Sequence, residues 1–448
     1  MTSRIAPKAL AFTAFCLLLP AVPSAVRAQQ LSPEEQRIVE YVDAHGDDAL
    51  ALLERLVNVN SGTMNPEGIR RVAELLAAEL EPLGFETRWV DLPDSLRRAG
   101  HLVAERTGTR GKRLLLIGHL DTVFDEEGPA GRFTMGDGIA RGPGVVDMKG
   151  GDVVIVQALE ALHQAGALEG TTIRVVFTGD EESPGLPLSV ARRALIEAGK
   201  QSDIALGFES GSRSRDTEYG VIARRSSTAW TLRVTGERAH SSGVFSRGVG
   251  AGAIYEAARI LNAFYDELRG EEYLTFNPGV ILGGTDVTYD DAEKRGTAFG
   301  KTNVVAQSVV VSGDIRTISD EQLERTRAKM RAIVARHLPQ TSAEITFTDG
   351  YPSMPPTEGN RAVLRVFDQV SRDLGYGAIE PFDPGRRGAA DISFVAPYVD
   401  GIDGLGPYGS GSHTPDETLD LESLPKATKR AALLIYRLTR GGEGAGAP

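Results

Sequence analysis

The hydrophobic positions of this chain change their spacing along the sequence, and the first part predicts a buried sheet. Short, nearly continuous apolar runs occur at 114–117, 173–177 and 204–206, with a helical pattern at 152–164 between the first two. Strands that are apolar on both faces and alternate with helices are typical of a mostly parallel sheet covered by helices. This part of the chain therefore predicts the α/β fold class.

The central part of the chain has a different pattern. Apolar and polar residues alternate at 230–235, which is the period of a strand with one face in water. The other predicted elements of this part are a helix at 249–268, a strand at 304–316 and a helix from a capping box at Ser319 to about His337. We predict that 222–345 is an inserted α+β unit with an open antiparallel sheet. The main domain would comprise 29–221 and 346–440.

Residues 1–28 have the pattern of an export signal. Two basic residues precede an apolar run at 9–22, and small residues predict cleavage after Ala28. The run has about 14 residues, whereas a bilayer span needs about 20, so we expect no stable membrane anchor. Cys16, the single cysteine, lies inside the run. We expect the mature protein to be exported, periplasmic or secreted, and free of thiols.

The mature chain begins and ends with simpler patterns. Ser32, Pro33 and Glu35 open a predicted helix that runs to about Val57, and a second helical pattern follows at 66–83. The tail at 441–448 is rich in Gly and Ala and is predicted to be disordered.

Composition limits the possible partners. The chain has 448 residues and a formal charge of −12 with no basic block. Nucleic-acid binding depends on clustered Lys and Arg, so we expect no nucleic-acid partner. The length allows more than one hydrophobic core.

Seven histidines are present, and their surroundings divide them. Surface or core-edge positions are predicted for four of them: His45, His101, His163 and His337. The other three, His119, His240 and His413, lie in or beside Gly-rich or Ser-rich turns after predicted strands. Folds of the α/β class place ligands in such turns.

Carboxylates occur in similar places. Asp147 lies between a Gly/Pro turn and the next helix, where it could cap that helix or bind a metal. Asp180, Glu181 and Glu182 follow an apolar strand, and adjacent carboxylates repel one another unless a cation holds them. A solvated acidic loop is the alternative for this triplet. Glu209 ends another apolar run.

Taken together, these side chains predict a hydrolytic metal site. The candidate ligands are two imidazoles and three carboxylates: His119, Asp147, Glu182, Glu209 and His413. Two zinc-like ions that share a bridging carboxylate need about that number of ligands. Asp121 is two residues after His119 and could orient its ring from behind. Glu181 could face the water that must lose a proton.

At this point the sequence resembles the co-catalytic zinc exopeptidases. This family contains glutamate carboxypeptidase, succinyl-diaminopimelate desuccinylase and aminoacylase, and the chain is most similar to the glutamate carboxypeptidase-like branch. The matching motifs, in order, are Gly118-His119-Leu120-Asp121, Gly142-Pro-Gly-Val-Val-Asp147-Met-Lys-Gly-Gly151, Asp180-Glu181-Glu182, Glu209, Gly236-Glu-Arg-Ala-His240-Ser-Ser and Ser412-His413-Thr414. The resemblance extends from about residue 35 to 440.

The resemblance implies a role for each matching residue. Two zinc ions per subunit would be bound, with cobalt or manganese as alternatives, and Asp147 would bridge them. His119 and Glu209 would hold one ion, and Glu182 and His413 the other. Glu181 would be the general base, with Asp121 behind His119 as part of the catalytic set. A cis peptide bond is expected after Asp147.

The inserted unit would be a lid that also forms a homodimer. His240 would reach the active site of the partner and stabilise the oxyanion. Asn303 and Arg316 would bind the carboxylate of the substrate. The loop at 384–391 resembles a Gly-rich substrate loop but carries Arg386 and Arg387, which could grip an acidic group or simply be solvated. An arginine expected near 349–352 in glutamate-specific members is missing, so the preferred side chain stays open.

These features predict an exported metal-dependent hydrolase. It would cleave an amide next to a free carboxylate and release a C-terminal amino acid from a small peptide or an N-acyl amino acid. The alternatives are an aminoacylase or a dipeptidase of the same family, and an inactive homologue with a binding role.

Overall fold

The computed structural model describes residues 30–125, 131–291 and 293–440. The predicted export signal and the predicted disordered tail both lie outside these ranges. Within the described ranges, no helix has the length and apolar character that crossing a membrane requires.

Helices and strands alternate along most of the chain. The described α-helices are α1 Pro33–Ala44, α2 Gly46–Val57, α3 Pro66–Leu80, α4 Lys149–Gln164, α5 Leu188–Ala191, α6 Arg193–Lys200, α7 Ala253–Leu268, α8 Asp320–Val334, α9 Glu358–Asp373 and α10 Ser423–Thr439. The strands before the inserted unit are β1 Glu86–Asp91, β2 Gly100–Arg106, β3 Arg110–His119, β4 Thr134–Gly136, β5 Ile139–Arg141, β6 Thr171–Thr178, β7 Ile204–Gly207, β8 Ser212–Ser214 and β9 Thr217–Gly220. The remaining strands are β10 Thr228–Gly236, β11 Thr275–Gly284, β12 Asp286–Asp290, β13 Arg295–Phe299, β14 Ser308–Arg316, β15 Thr341–Asp349, β16 Ile379–Pro381, β17 Asp400–Ile402, β18 Gly409–Ser410 and β19 Thr418–Asp420.

The main sheet has the order β1-β2-β6-β3-β7-β17. The pairs β6–β3, β3–β7 and β7–β17 are parallel, and the two pairs that involve β2 are antiparallel. The inner strands β3, β6 and β7 are buried along most of their length, as their continuous apolar runs predict. The predicted α/β class is therefore confirmed.

The helix α4 is the centre of the main core. It is buried on nearly every side and packs against α1, α2, α10 and the strand β3. Gly151 near its start lets it approach the end of β7: a Cβ at this position would lie 2.0 Å from the carbonyl oxygen of Phe208. This close approach brings the start of α4 beside the carboxyl ends of the parallel strands.

The inserted unit has its own sheet, with the order β11-β14-β10-β15 and antiparallel pairing throughout. The inner side chains of β10, including Trp230 and Leu232, pack with α7 and α8 in a separate core. The expected boundary at 345 falls inside β15, whose pairing with β10 continues to Asp349. The sheet therefore extends the unit by four residues beyond that boundary.

Several helix boundaries differ from the sequence prediction. The first predicted helix is two helices, because the backbone leaves the α region at His45 (φ −115°, ψ 26°) and restarts at Gly46. The helix predicted from 249 begins at Ala253, since Gly250 and Gly252 have positive φ angles of 68° and 78°. The helix expected to reach His337 ends at Val334.

Candidate metal centre

The predicted ligands lie where three neighbouring strands end. His119 is the last residue of β3, Glu182 lies in the loop after β6, and Glu209 follows β7 by two residues. Because these strands are parallel and adjacent, their carboxyl ends meet at one edge of the sheet. The topology thus brings together side chains that are up to 90 residues apart in sequence.

Asp147 reaches the same edge from the turn before α4. The peptide bond between Asp147 and Met148 is cis, as expected from the resemblance. The backbone amides of this turn bind the carboxylate of Glu417: the amides of Gly144, Val146 and Asp147 each donate to it over 2.9 Å. Glu417 therefore fixes the turn that carries Asp147.

Two groups of donor atoms meet at Asp147. In the first, His119 Nε2 lies 3.3 Å from Asp147 Oδ1 and 3.7 Å from Glu209 Oε1. In the second, His413 Nε2 lies 3.2 Å from Asp147 Oδ2 and 3.1 Å from Glu182 Oε2. In each group the donor atoms lie within 4.8 Å of one another. Asp147 belongs to both groups and offers one oxygen to each, which is the arrangement of a bridging carboxylate.

The donor set fits a pair of divalent cations. His119 Nε2 is buried and has no hydrogen-bond partner among the described residues, so its lone pair is free to bind a metal. Burial raises the pKa of Glu182, and it raises the pKa of Glu209 to about 7. Burial thus disfavours the charged form of both carboxylates, and a nearby cation would stabilise it. Nitrogen and oxygen donors without cysteine suit zinc and similar ions.

The same excess of carboxylates over cations affects the pKa values of His413 and Asp147. Contacts with Asp147 and Glu182 raise the pKa of His413 to about 11. Burial alone would raise the pKa of Asp147, but its contacts with His119 and His413 bring it well below the ordinary value. The surrounding carboxylates therefore favour positive charge at this site, which bound cations would supply.

Asp121 contacts the ring of His119 and also the loop of the predicted base. The nearer partner of His119 Nδ1 is the backbone carbonyl oxygen of Asp121 at 3.0 Å, while the carboxylate Oδ1 lies 3.5 Å away. The carboxylate accepts hydrogen bonds from Thr63 Oγ1 and from the backbone amides of Glu181 and Glu182. Its main contacts thus hold the loop of the predicted base.

Comparisons with known proteins agree with this geometry. The family model described as peptidase family M20/M25/M40 matches residues 115–437. The chain belongs to this family. Its members are metallopeptidases and related amidohydrolases. The chain is 28% identical over 401 residues to carboxypeptidase G2 of Pseudomonas sp. (strain RS-16), covering 87% of this chain and 89% of that protein.

Two further relatives show the range of the family. The chain is 26% identical over 404 residues to succinyl-diaminopimelate desuccinylase of Dechloromonas aromatica, covering 87% of this chain and 97% of that protein. It also matches the solved structure of the Bacillus subtilis YXEP protein, described as a dinuclear metal-binding peptidase of family M20. That match has a TM-score of 0.60 and 17% identity, and covers 89% of this chain and 99% of the other. It shows the same fold.

Glu181 lies beside the two donor groups of this M20 protein. It is partly buried, and burial raises its pKa well above the ordinary range for a glutamate, although the charge of His119 lowers it. Its neighbour Asp180 is turned away from the donor groups and pairs with the buried Arg192, with 2.5 Å between Oδ1 and Nη1. The triplet is therefore not a solvated acidic loop.

The predicted lid residues lie apart from the donor groups. His240 is exposed and its Nδ1 lies 2.9 Å from Ser242 Oγ, while the carbonyl oxygen of Asn303 accepts from the Ser241 amide next to it. Arg316 is half-exposed and pairs with Asp314 at 2.9 Å. The structure thus places His240 beside Asn303. Among the described contacts, none joins them or Arg316 to the donor groups.

The two arginines of the loop at 384–391 have different surroundings. Arg387 is largely buried, donates to the Ser210 carbonyl oxygen at 2.7 Å and to Ser212 Oγ at 2.9 Å, and lies 4.0 Å from Glu209 Oε2. Arg386 is exposed and lies over the ring of Phe382. Both line a polar cleft of about 730 Å³ next to the donor groups. Of the two arginines, only Arg386 is exposed to solvent, which was the second alternative for this pair.

Three buried polar residues of the centre had no predicted role. Glu417 is four residues after His413, so its place in the same Gly/Ser-rich turn was a usable signal. Lys149 Nζ donates to the carbonyl oxygen of Val59 at 2.9 Å, and burial lowers its pKa to about 8. Asp152 is fully buried in α4, and neither carboxyl oxygen has a hydrogen-bond partner among the described residues. Nothing in the sequence pattern distinguishes Asp152 from an ordinary helix-start acid.

Proposed function

We propose that this M20 protein is a carboxypeptidase-like amide hydrolase. It would cleave the amide next to a free carboxylate and release the C-terminal amino acid of a small peptide or an N-acyl amino acid. The observation that carries this proposal is the pair of donor groups that share Asp147, with Glu181 beside them. The similarity to carboxypeptidase G2 over most of both chains supports this substrate class.

The donor groups would hold two zinc ions, with cobalt or manganese as alternatives. His119 and Glu209 would bind one ion, Glu182 and His413 the other, and Asp147 would bridge them. Ions bound there would polarise the scissile carbonyl and lower the pKa of a water molecule. The buried, unpartnered Nε2 of His119 supports this assignment.

Glu181 would act as the general base. Its carboxylate takes a proton from the attacking water and gives it to the nitrogen of the leaving amine. Burial raises its pKa, which makes the carboxylate a stronger base towards the attacking water. Positioned bases of this kind contribute about 10²–10⁴-fold to the rate.

The inserted unit would supply the remaining substrate contacts. Arg316 and Asn303 would bind the free carboxylate, and Arg386 and Arg387 would line the neighbouring cleft. His240 would act on the active site of a second subunit in a homodimer. Large exposed apolar side chains on α7 and on the edge strand β11 support such a dimer: Ile254, Tyr255, Tyr265, Val280 and Ile281. Analytical ultracentrifugation should give twice the mass of one chain.

A deacylase of N-acyl amino acids is the second candidate. It is favoured by the match to succinyl-diaminopimelate desuccinylase, of which the chain covers 97%. A panel of dipeptides and N-acyl amino acids with the same C-terminal residue separates the two candidates. Hydrolysis of the N-acyl compounds alone would favour the deacylase.

Glu181→Gln tests the mechanism. The variant should keep two metal ions per chain, measured by elemental analysis, while turnover falls by about 10²–10⁴-fold. Turnover near the wild-type rate in a fully loaded variant would show that Glu181 is not the base. The absence of hydrolysis by the wild type across the whole panel would favour an inactive homologue.

We also propose that the protein is exported after cleavage at Ala28. The support is the basic, apolar and small-residue order of residues 1–28. Mass spectrometry of the protein from the periplasm or medium should give Gln29 as the first residue. An intact Met1 in that fraction would contradict the proposal.

A further inference from the structure

Two connectors join the inserted unit to the main domain, and they pair with each other. The backbones of Arg224 and Met354 exchange two hydrogen bonds of 2.9 Å, and the Ser227 amide donates to the Tyr351 carbonyl oxygen at 2.8 Å. Tyr351 lies in the exit connector, two residues after β15 ends at Asp349. Its position is therefore fixed relative to both parts of the chain.

The hydroxyl of Tyr351 reaches the loop of Glu181. It donates to the Glu181 carbonyl oxygen at 2.8 Å and accepts from Arg192 Nη2 at 2.8 Å. Its ring packs edge-on against Phe394, with 4.9 Å between the ring centroids. The hydroxyl thus has a donor and an acceptor partner, and the packed ring holds it in one orientation.

Arg192 makes this arrangement rigid. Its guanidinium is fully buried and binds Asp180 Oδ1 at 2.5 Å, the Asp180 carbonyl oxygen at 3.0 Å and Asp391 Oδ1 at 2.7 Å. Asp391 also accepts from Thr178 Oγ1 at 2.5 Å and closes the loop that carries Arg386 and Arg387. A planar guanidinium with fixed donors suits such a junction. The buried Arg192 side chain therefore joins three segments: the loop of Glu181, the loop at 384–391 and the exit connector of the inserted unit.

The backbone of Glu181 is held from two sides. Its amide donates to Asp121 Oδ1 at 2.9 Å, and its carbonyl oxygen accepts from Tyr351. No described side chain or amide forms a hydrogen bond with the Glu181 carboxylate, so backbone orientation is what directs it. A small rotation of this peptide would displace the carboxylate by more than a proton transfer tolerates.

We propose that Tyr351 is a positioning residue for Glu181, coupling the orientation of the base to the exit connector of the inserted unit. The proposal rests on the proposed function, in which Glu181 is the general base. Tyr351 itself touches neither the donor groups nor the base carboxylate. Its effect passes through the Glu181 peptide.

Tyr351→Phe tests this role because it removes only the hydroxyl. The variant should lose about 10–100-fold in kcat while KM changes by less than about threefold, with two metal ions still bound. In metal-free protein, amide hydrogen exchange at 179–186 should become about tenfold faster, with exchange in β10 and β14 unchanged. Tyr436→Phe, in the buried part of α10 away from the centre, is the matched control and should behave as wild type.

The outcomes separate the two proposals. An unchanged kcat in Tyr351→Phe, together with an inactive Glu181→Gln, would overturn the positioning role alone. A loss of kcat that comes with faster amide hydrogen exchange across the whole main domain would show that Tyr351 only stabilises the fold. That result would also overturn the positioning role. An active Glu181→Gln would overturn the base assignment and this inference with it.

Discussion

The substitution Glu417→Gln tests the balance between hydrogen bonding and burial of the Glu417 carboxylate at the candidate metal centre. In the folded protein the carboxylate accepts three backbone hydrogen bonds, each 2.9 Å long, which favour its charged form. Burial opposes the charged form more strongly than the hydrogen bonds favour it, and it raises the pKa of Glu417 from 4.5 to about 7. Glutamine has nearly the shape of protonated glutamate, but its amide nitrogen only donates, so the variant loses the hydrogen bond from the Gly144 amide at every pH. The lost hydrogen bond lowers the stability of the variant equally at acid and alkaline pH, whereas only the wild type loses stability as the pH rises.

The magnitude follows from the shift in pKa. The folded value lies above the unfolded one, so the unfolded chain loses its proton first, and stability falls as pH rises from about 4.5 to about 7. At about 1.4 kcal/mol for each pKa unit, the loss amounts to about 3 kcal/mol. Glutamine has no proton to lose. The stability of metal-free Glu417→Gln relative to metal-free wild type should therefore rise by about 2–3 kcal/mol between pH 5.0 and pH 8.5.

Urea unfolding of chelator-treated protein at pH 5.0 and 8.5 measures this difference. Glu358→Gln, at an exposed position in α9, is the control and should follow the wild type at both pH values. If the stability difference between Glu417→Gln and the wild type is the same at pH 5.0 and pH 8.5, burial does not raise the pKa of Glu417 and the reasoning is wrong. Metal affinity should fall by about 10–100-fold in the same variant, because its amide group cannot accept from the Gly144 amide as Glu417 does.

Two other substitutions have defined outcomes. Arg316→Ala should raise KM by about 10–100-fold for substrates with a free carboxylate and much less for their amides, because the lost contact is charge-assisted. Steady-state kinetics measures both values. Equal effects on the two kinds of substrate would contradict the assignment of Arg316. Asp152→Ala should stabilise the metal-free protein by about 1–3 kcal/mol at pH 8, because it removes a buried carboxyl without a hydrogen-bond partner among the described residues. The stability gained by Asp152→Ala should shrink towards pH 4, because burial raises the pKa of Asp152 in the folded state only. A variant that unfolds at lower urea concentration than the wild type at pH 8 would contradict this argument.

The sequence predicted the donor residues because each one belongs to a short local motif. An apolar strand followed by a polar residue identifies the carboxyl end of a buried strand, and parallel strands bring such ends together. That rule places His119, Glu182 and Glu209 at one edge without knowledge of the strand order. The same rule predicted the α/β class from three apolar runs.

Residues that act through distant partners could not be predicted in this way. Glu417 binds an amide 270 residues earlier, and Tyr351 binds a carbonyl 170 residues earlier. Neither contact leaves a periodic signal, because each depends on how two loops meet after the sheet has formed.

The pair Arg386 and Arg387 shows how burial decides between readings that the sequence leaves open. Both guanidinium groups could bind an anionic substrate if both were free. In the folded chain Arg387 is occupied by Ser210 and Ser212 and lies 4.0 Å from Glu209, so its charge already serves a candidate metal ligand. Of the two arginines of this loop, the one left for an acidic group is Arg386, whose guanidinium lies over Phe382 and forms no ion pair among the described contacts. Any preference of the enzyme for an acidic substrate at this loop must then come from Arg386 and not from both arginines.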